Sequence, residues 1–104
     1  MALFMIERTF AQALNPSAAD IKAIGDVNAS LGVKWLHSFL SGDKRKTYCL
    51  YEAESSESIR EAARRAGLPI DAIIELSGEL SAAGFCGAAE VTAAAARPQA
   101  RRAG

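Results

Sequence analysis

Most of the residues on which small-protein chemistry depends are scarce in this chain. Its 104 residues include two cysteines, one histidine, one tryptophan and three prolines. Cys49 and Cys86 are isolated, without CxxC or finger spacing, so neither a disulfide framework nor a structural zinc site is supported, and Cys49 reads as a reduced thiol. Net charge is also absent: nine basic and eleven acidic residues precede Ser81, and three arginines face Glu90 after it. Without a polybasic stripe there is no footprint for nucleic acid or an anionic membrane. The apolar start, Met1 to Ile6, stops at Glu7 and Arg8. That is far short of the roughly 7–15 apolar residues of a signal-peptide core or the ~20 of a spanning helix, so a cytoplasmic protein is expected. No Ser-His-Asp order, glycine-rich phosphate cradle or differentiated carboxylate pair supports conventional catalysis.

Half of the residues are hydrophobic, enough for one domain with a modest core that dimerisation would help. Ala2 to Phe10 reads as a strand whose near-continuous apolar start suits a central place in a sheet. Ser17 and Asp20 have the spacing of a capping box, and Ile21, Ile24, Val27 and Leu31 recur at helical intervals before Gly32. Val33–Leu40 and Lys46–Glu52 are rich in β-branched and aromatic residues. Ser41 to Arg45 between them is turn chemistry, which makes a hairpin. Ser55 or Ser56 caps a second helix with the narrow apolar face Ile59, Ala62, Ala63 and Ala66, ended by Gly67-Leu68-Pro69. The charges on its other face, Glu57, Arg60, Glu61, Arg64 and Arg65, read as solvated i,i+3 and i,i+4 pairs without a function. Asp71 to Ser77 forms a last strand.

The order β-α-β-β-α-β predicts an α+β, ferredoxin-like fold: a four-stranded antiparallel sheet with two helices on one face. Its other face is apolar enough to predict covering by a second copy, hence a homodimer. The domain is expected to span residues 1–80. From Ser81 the composition turns to Ala, Gly and Arg, with ten alanines in the last 24 residues. Residues 81–104 therefore read as a disordered tail, with Phe85 as a pin at its start and Cys86 exposed to oxidation. The same element order occurs in RNA-binding RRM domains. Their third strand carries aromatics two residues apart on one face, whereas Tyr48 and Tyr51 are three apart and point oppositely.

The hairpin brings the scarce chemistry together. An even loop places His37 with Tyr48, Leu50 and Glu52, and an odd loop or a bulge places it with Cys49 and Tyr51. A lone strand histidine is more often a satisfied structural residue than a ligand, and a free cysteine more often a small buried hydrophobe. Glu7 is an acid within an apolar strand and needs a partner: Glu75 through a shared cation, His37, or a basic group of a second copy.

Four blocks in order, Phe4-Met5-Ile6-Glu7-Arg8-Thr9-Phe10, Trp35-Leu36-His37-Ser38, Tyr48-Cys49-Leu50-Tyr51-Glu52-Ala53 and Ile59 to Pro69, resemble a family of small bacterial proteins that includes a nickel-responsive, nickel-binding member. The resemblance spans about Ala2 to Leu76. It implies a dimeric ferredoxin-like fold, no established reaction, and a role in sequestering or sensing nickel. By donor chemistry, His37, Cys49, Glu7 and Glu52 are the candidate metal ligands. Ni²⁺ favours imidazole and accepts thiolate and carboxylate, and two chains can supply what one lacks. The competing reading is a dimeric small-ligand binder, or a cofactor-independent oxygenase, with Trp35, Phe39, Tyr48 and His37 around a pocket. A third reading is a metal-free interaction module.

Overall fold

Strand β1 (Ala2–Thr9) forms the spine of the structure, a computed structural model that describes residues 1–96. Its alternation sends Phe4, Ile6 and Arg8 to one side and Leu3, Met5 and Glu7 to the other, and both sides are largely buried at its middle. Strand β3 (Lys46–Ala53) pairs with one edge of β1 and β4 (Ala72–Leu76) with the other, both antiparallel. Strand β2 (Lys34–Leu40) completes the sheet in the order β2-β3-β1-β4. Helices α1 (Ala18–Ser30) and α2 (Ser56–Ala66) supply the crossovers, giving the ferredoxin-like arrangement expected from the sequence.

The caps form as the residues dictate. Ser17 Oγ accepts from the Asp20 amide while the Asp20 carboxylate accepts from the Ser17 amide, which draws the Asp20 carboxyl below its ordinary pKa. Ser55 caps α2, and Gly67 ends it in the left-handed region at φ 70°, where glycine has no side chain to clash. Beneath the helices Phe4, Ile6, Val33, Cys49, Tyr51, Ala53, Ile59 and Ala62 form the main core.

One feature of β2 decides which residues face which side. Pairing runs Leu40↔Thr47, Phe39↔Tyr48, Ser38↔Cys49 and His37↔Leu50, then shifts so that Trp35 meets Tyr51 and Lys34 meets Glu52. The extra residue is Leu36. Without this bulge Trp35 would fall opposite Glu52, on the side away from the helices; with it, the indole turns into the main core. Because the bulge lies on the far side of His37 from the turn, His37 keeps the register set by the loop. It shares a face with Tyr48, Leu50 and Glu52.

The second face is partly covered by the chain itself. Strands β5 (Gly78–Ser81) and β6 (Gly84–Gly87) form a hairpin, and α3 (Ala88–Ala96) follows. Val91, 8% exposed, packs with Leu3 and Leu50, flanked by Met5, Leu36, Leu76, Cys86 and Ala88. The boundary expected at Leu80 thus falls inside a hairpin, and residues 81–96 of the expected tail are folded. The physical reason is that one valine anchors an otherwise alanine-rich helix, a signal too sparse for periodicity to register. The Phe85 ring lies against Gly78 of its own hairpin and is 62% exposed, and Cys86 is half-buried rather than exposed. The rest of that expected tail, residues 97–104, lies outside the described residues.

Candidate functional site

The side of the sheet away from α1 and α2 is arranged in three rows. The first crosses Lys34, Glu52, Leu3 and Leu76, the second His37, Leu50, Met5 and Ile74, and the third Phe39, Tyr48, Glu7 and Ala72. Helix α3 covers Leu3 and Leu50, leaving the His37 end of the second row and the whole Phe39–Tyr48 pair in solvent. His37 is exposed, with its ring edge-on to that of Phe39 at a centroid distance of 5.2 Å. Phe39 itself is 60% exposed.

Three of the four ligand candidates, His37, Glu7 and Glu52, therefore share this face, whereas Cys49 does not. Its thiol lies on the helix side of β3, 5% exposed and within the main core. The carboxylates are each engaged within the chain: Glu52 with Lys34 Nζ at 3.7 Å and Glu7 with Lys46 Nζ at 3.4 Å. Glu7 thus has a basic partner on the adjacent strand; Glu75, paired with Phe4, lies on the opposite face and cannot share a cation with it. Among the described residues no three His, Cys, Asp or Glu side chains stand close enough to hold a metal ion. One chain presents one free imidazole flanked by two separated carboxylates, which is an incomplete first shell for nickel.

The helix side holds a different feature, which the sequence reading did not isolate. Between α1 and the sheet lies a cavity of about 220 Å³, almost wholly apolar, bordered by Phe10, Leu14, Ile21, Ile24, Trp35 and Leu68. Ile21 and Ile24 belong to the expected apolar stripe of α1, yet neither is fully buried, because this half of the helix stands over the cavity. The sheet contributes Arg8, Thr47, Cys49 and Tyr51 to its floor. Trp35 lines it and Phe39 borders it, whereas Tyr48 and His37 face the other side of the sheet. The four residues expected around a single pocket are thus divided between two surfaces.

The floor carries polar groups of unusual standing. Arg8, 3% exposed, donates from Nη1 to the Pro69 carbonyl at 2.8 Å and from Nη2 to the Tyr51 hydroxyl at 3.2 Å, and its guanidinium lies 5.8 Å from the Tyr51 ring centre. Among the described residues no carboxylate pairs with it. Burial pushes the Tyr51 phenol above its ordinary pKa, although the Arg8 charge opposes the rise. Among the described residues the buried Thr47 Oγ1 has no hydrogen-bond partner.

Comparison with known proteins places this architecture. Comparison with curated proteins gave no match. The crystal structure of SCO4226 from Streptomyces coelicolor A3(2) superposes with a TM-score of 0.58 at 22% identity, covering 78% of this chain and 100% of that one, a likeness of fold. The family described as nickel responsive protein SCO4226-like matches residues 4–76, which comprise β1 through β4 with both crossover helices. On that match, the chain belongs to the SCO4226-like family of nickel-responsive proteins.

Proposed function

We propose that this protein binds nickel, as cargo or signal, on the outer face of its sheet, at a site shared by two copies of the chain. The observation that carries the reading is the position of His37: the chain's one imidazole stands in solvent on a strand, which fixes its backbone, beside exposed aromatic surface. Nickel prefers imidazole nitrogen among protein donors, and carboxylate or water oxygen completes its shell. Because one chain offers too few donors, two-fold pairing is what brings a second His37 into reach. Phe39, Tyr48 and Ile74, all exposed on this face, supply apolar contact for such a pair, and α3 leaves this end uncovered. Cys49 has no part in the site, since it lies on the helix side of the sheet, away from His37. In this reading the protein works in the cytoplasm as a metal-sequestering or metal-sensing dimer. Among the described residues no helix is long and apolar enough to cross a membrane.

Assembly is the premise to test first. Sedimentation equilibrium at micromolar concentration should give a dimer whose dissociation is suppressed by nickel, and Phe39→Glu should shift it toward monomer by setting like charges against each other. A monomer that nickel does not pair would remove the shared site.

A further inference from the structure

The cavity on the helix side is separate from the proposed metal face, and its walls suit a ligand without charge. Packed interiors leave few spaces larger than a water molecule. A carbon-walled cavity of about 150 Å³ stays dry and accepts benzene, and this one, of about 220 Å³, presents Phe10, Leu14, Ile21, Ile24, Trp35 and Leu68. The polar groups at its border are turned to one another: the Trp35 indole N–H donates to Ser38 Oγ at 2.8 Å, and the Tyr51 hydroxyl accepts from Arg8. An ion entering here would exchange water for carbon at a cost, whereas an uncharged apolar molecule gains by the same transfer. The opening points the same way. Ile21 on α1 and Leu40 on β2 both line the space and are each 45% exposed, so the cavity meets solvent between the helix and the edge strand. Exposed apolar residues gathered at such an opening mark a binding groove. We propose that this cavity binds a small uncharged apolar molecule, about the size of one aromatic ring with a short alkyl arm, inserted between α1 and β2 against Trp35. Ile21 and Ile24, which the protein covers only in part, are covered by that molecule.

The fold provides its own reporter, because Trp35 is the sole tryptophan and its indole N–H gives a single signal in a proton–nitrogen correlation spectrum. Toluene is the probe and benzoate its charged counterpart of similar shape. Toluene should shift the indole signal saturably and raise Tm by mass action. Benzoate at neutral pH should bind roughly tenfold more weakly or worse, because carbon walls leave its carboxylate unpaired. Ile24→Phe sets a larger side chain in the space and should abolish the toluene response while the protein still unfolds cooperatively. If that variant fails to fold, Leu14→Phe, which fills the same space from the segment before α1, decides. Leu80→Ala removes the most exposed large apolar side chain outside the cavity and should bind toluene as wild type does. Absence of a saturable response, benzoate binding as tight as toluene, undiminished toluene binding in the folded filling variant, or its loss in Leu80→Ala would each overturn the proposal. The metal face is untouched by these changes, so nickel binding by the filling variant should match wild type whatever the outcome with toluene.

Discussion

Replacing Val91 with alanine tests whether the C-terminal hairpin and helix are docked on the sheet in solution. Two effects of opposite sign compete. Removing two buried carbons loses about 1.6 kcal/mol at roughly 0.8 kcal/mol each, and a residual cavity against Leu3 and Leu50 adds to that. Alanine, however, favours the helical state over valine by about 0.5 kcal/mol. For a docked α3 the burial effect wins, with a net loss of about 1–2 kcal/mol, or a fall in Tm of roughly 4–12 °C for a domain of this size. For an undocked α3 only propensity remains, and the sign reverses. The assay is thermal unfolding followed by far-ultraviolet circular dichroism, with Ala93→Ser on the exposed side of the same helix as a control that should move Tm little. Cys86 gives a second reading, since it packs in the Val91 cluster and should react faster with a thiol reagent in Val91→Ala than in wild type. An unchanged or raised Tm would refute the docking argument and return the whole outer face to solvent.

Two further outcomes follow from single positions. A Cβ at Gly78 would lie 2.7 Å from the Phe85 ring and run into the Cys86 carbonyl oxygen, so Gly78→Ala should open the β5–β6 hairpin, raising Cys86 reactivity and lowering Tm by several degrees. Tyr51 holds its proton above the ordinary phenol value of about 10, so the unfolded chain ionises first as pH rises. Its contribution is intact below that value and lost as pH climbs through the raised one. Denaturant unfolding at about pH 9 and pH 11 should show a decline that is shallower in Tyr51→Phe, whose stability at neutral pH falls by about 1 kcal/mol through the orphaned Arg8 donor.

The element order was legible because each element announces itself locally: capping residues at Ser17 and Ser55, a helix-ending glycine at Gly67, turn chemistry from Ser41 to Arg45. The face of His37 was legible only as a choice between registers. Leu36 carries no mark of a bulge, neither glycine nor proline, so the turning of Trp35 toward the helices depends on tertiary packing. The helical spacing of Ile21 and Ile24 shows only that the helix is apolar on one side, not whether that side meets a sheet or a cavity. The folded segment after Ser77 was missed for a related reason: alanine packs closely wherever it is placed, and Val91 alone distinguishes a docked helix from a polyalanine run. Glu7 looked partnerless because Lys46 lies on another strand, adjacent in space but distant in sequence. Separating Cys49 from His37 needed the pairing register, since adjacent strands set donors side by side or back to back according to a single residue.

The central claim is that His37 anchors nickel on the outer face. Calorimetric titration of nickel into metal-stripped protein tests it directly, comparing wild type with His37→Ala. Wild type should give stoichiometric heat that weakens on acidification, because a protonated imidazole has no lone pair to donate. His37→Ala is a surface change that leaves the core intact, so it should bind at least tenfold more weakly while unfolding at the same temperature. Equal isotherms for the two proteins, or no heat from wild type, would contradict the account.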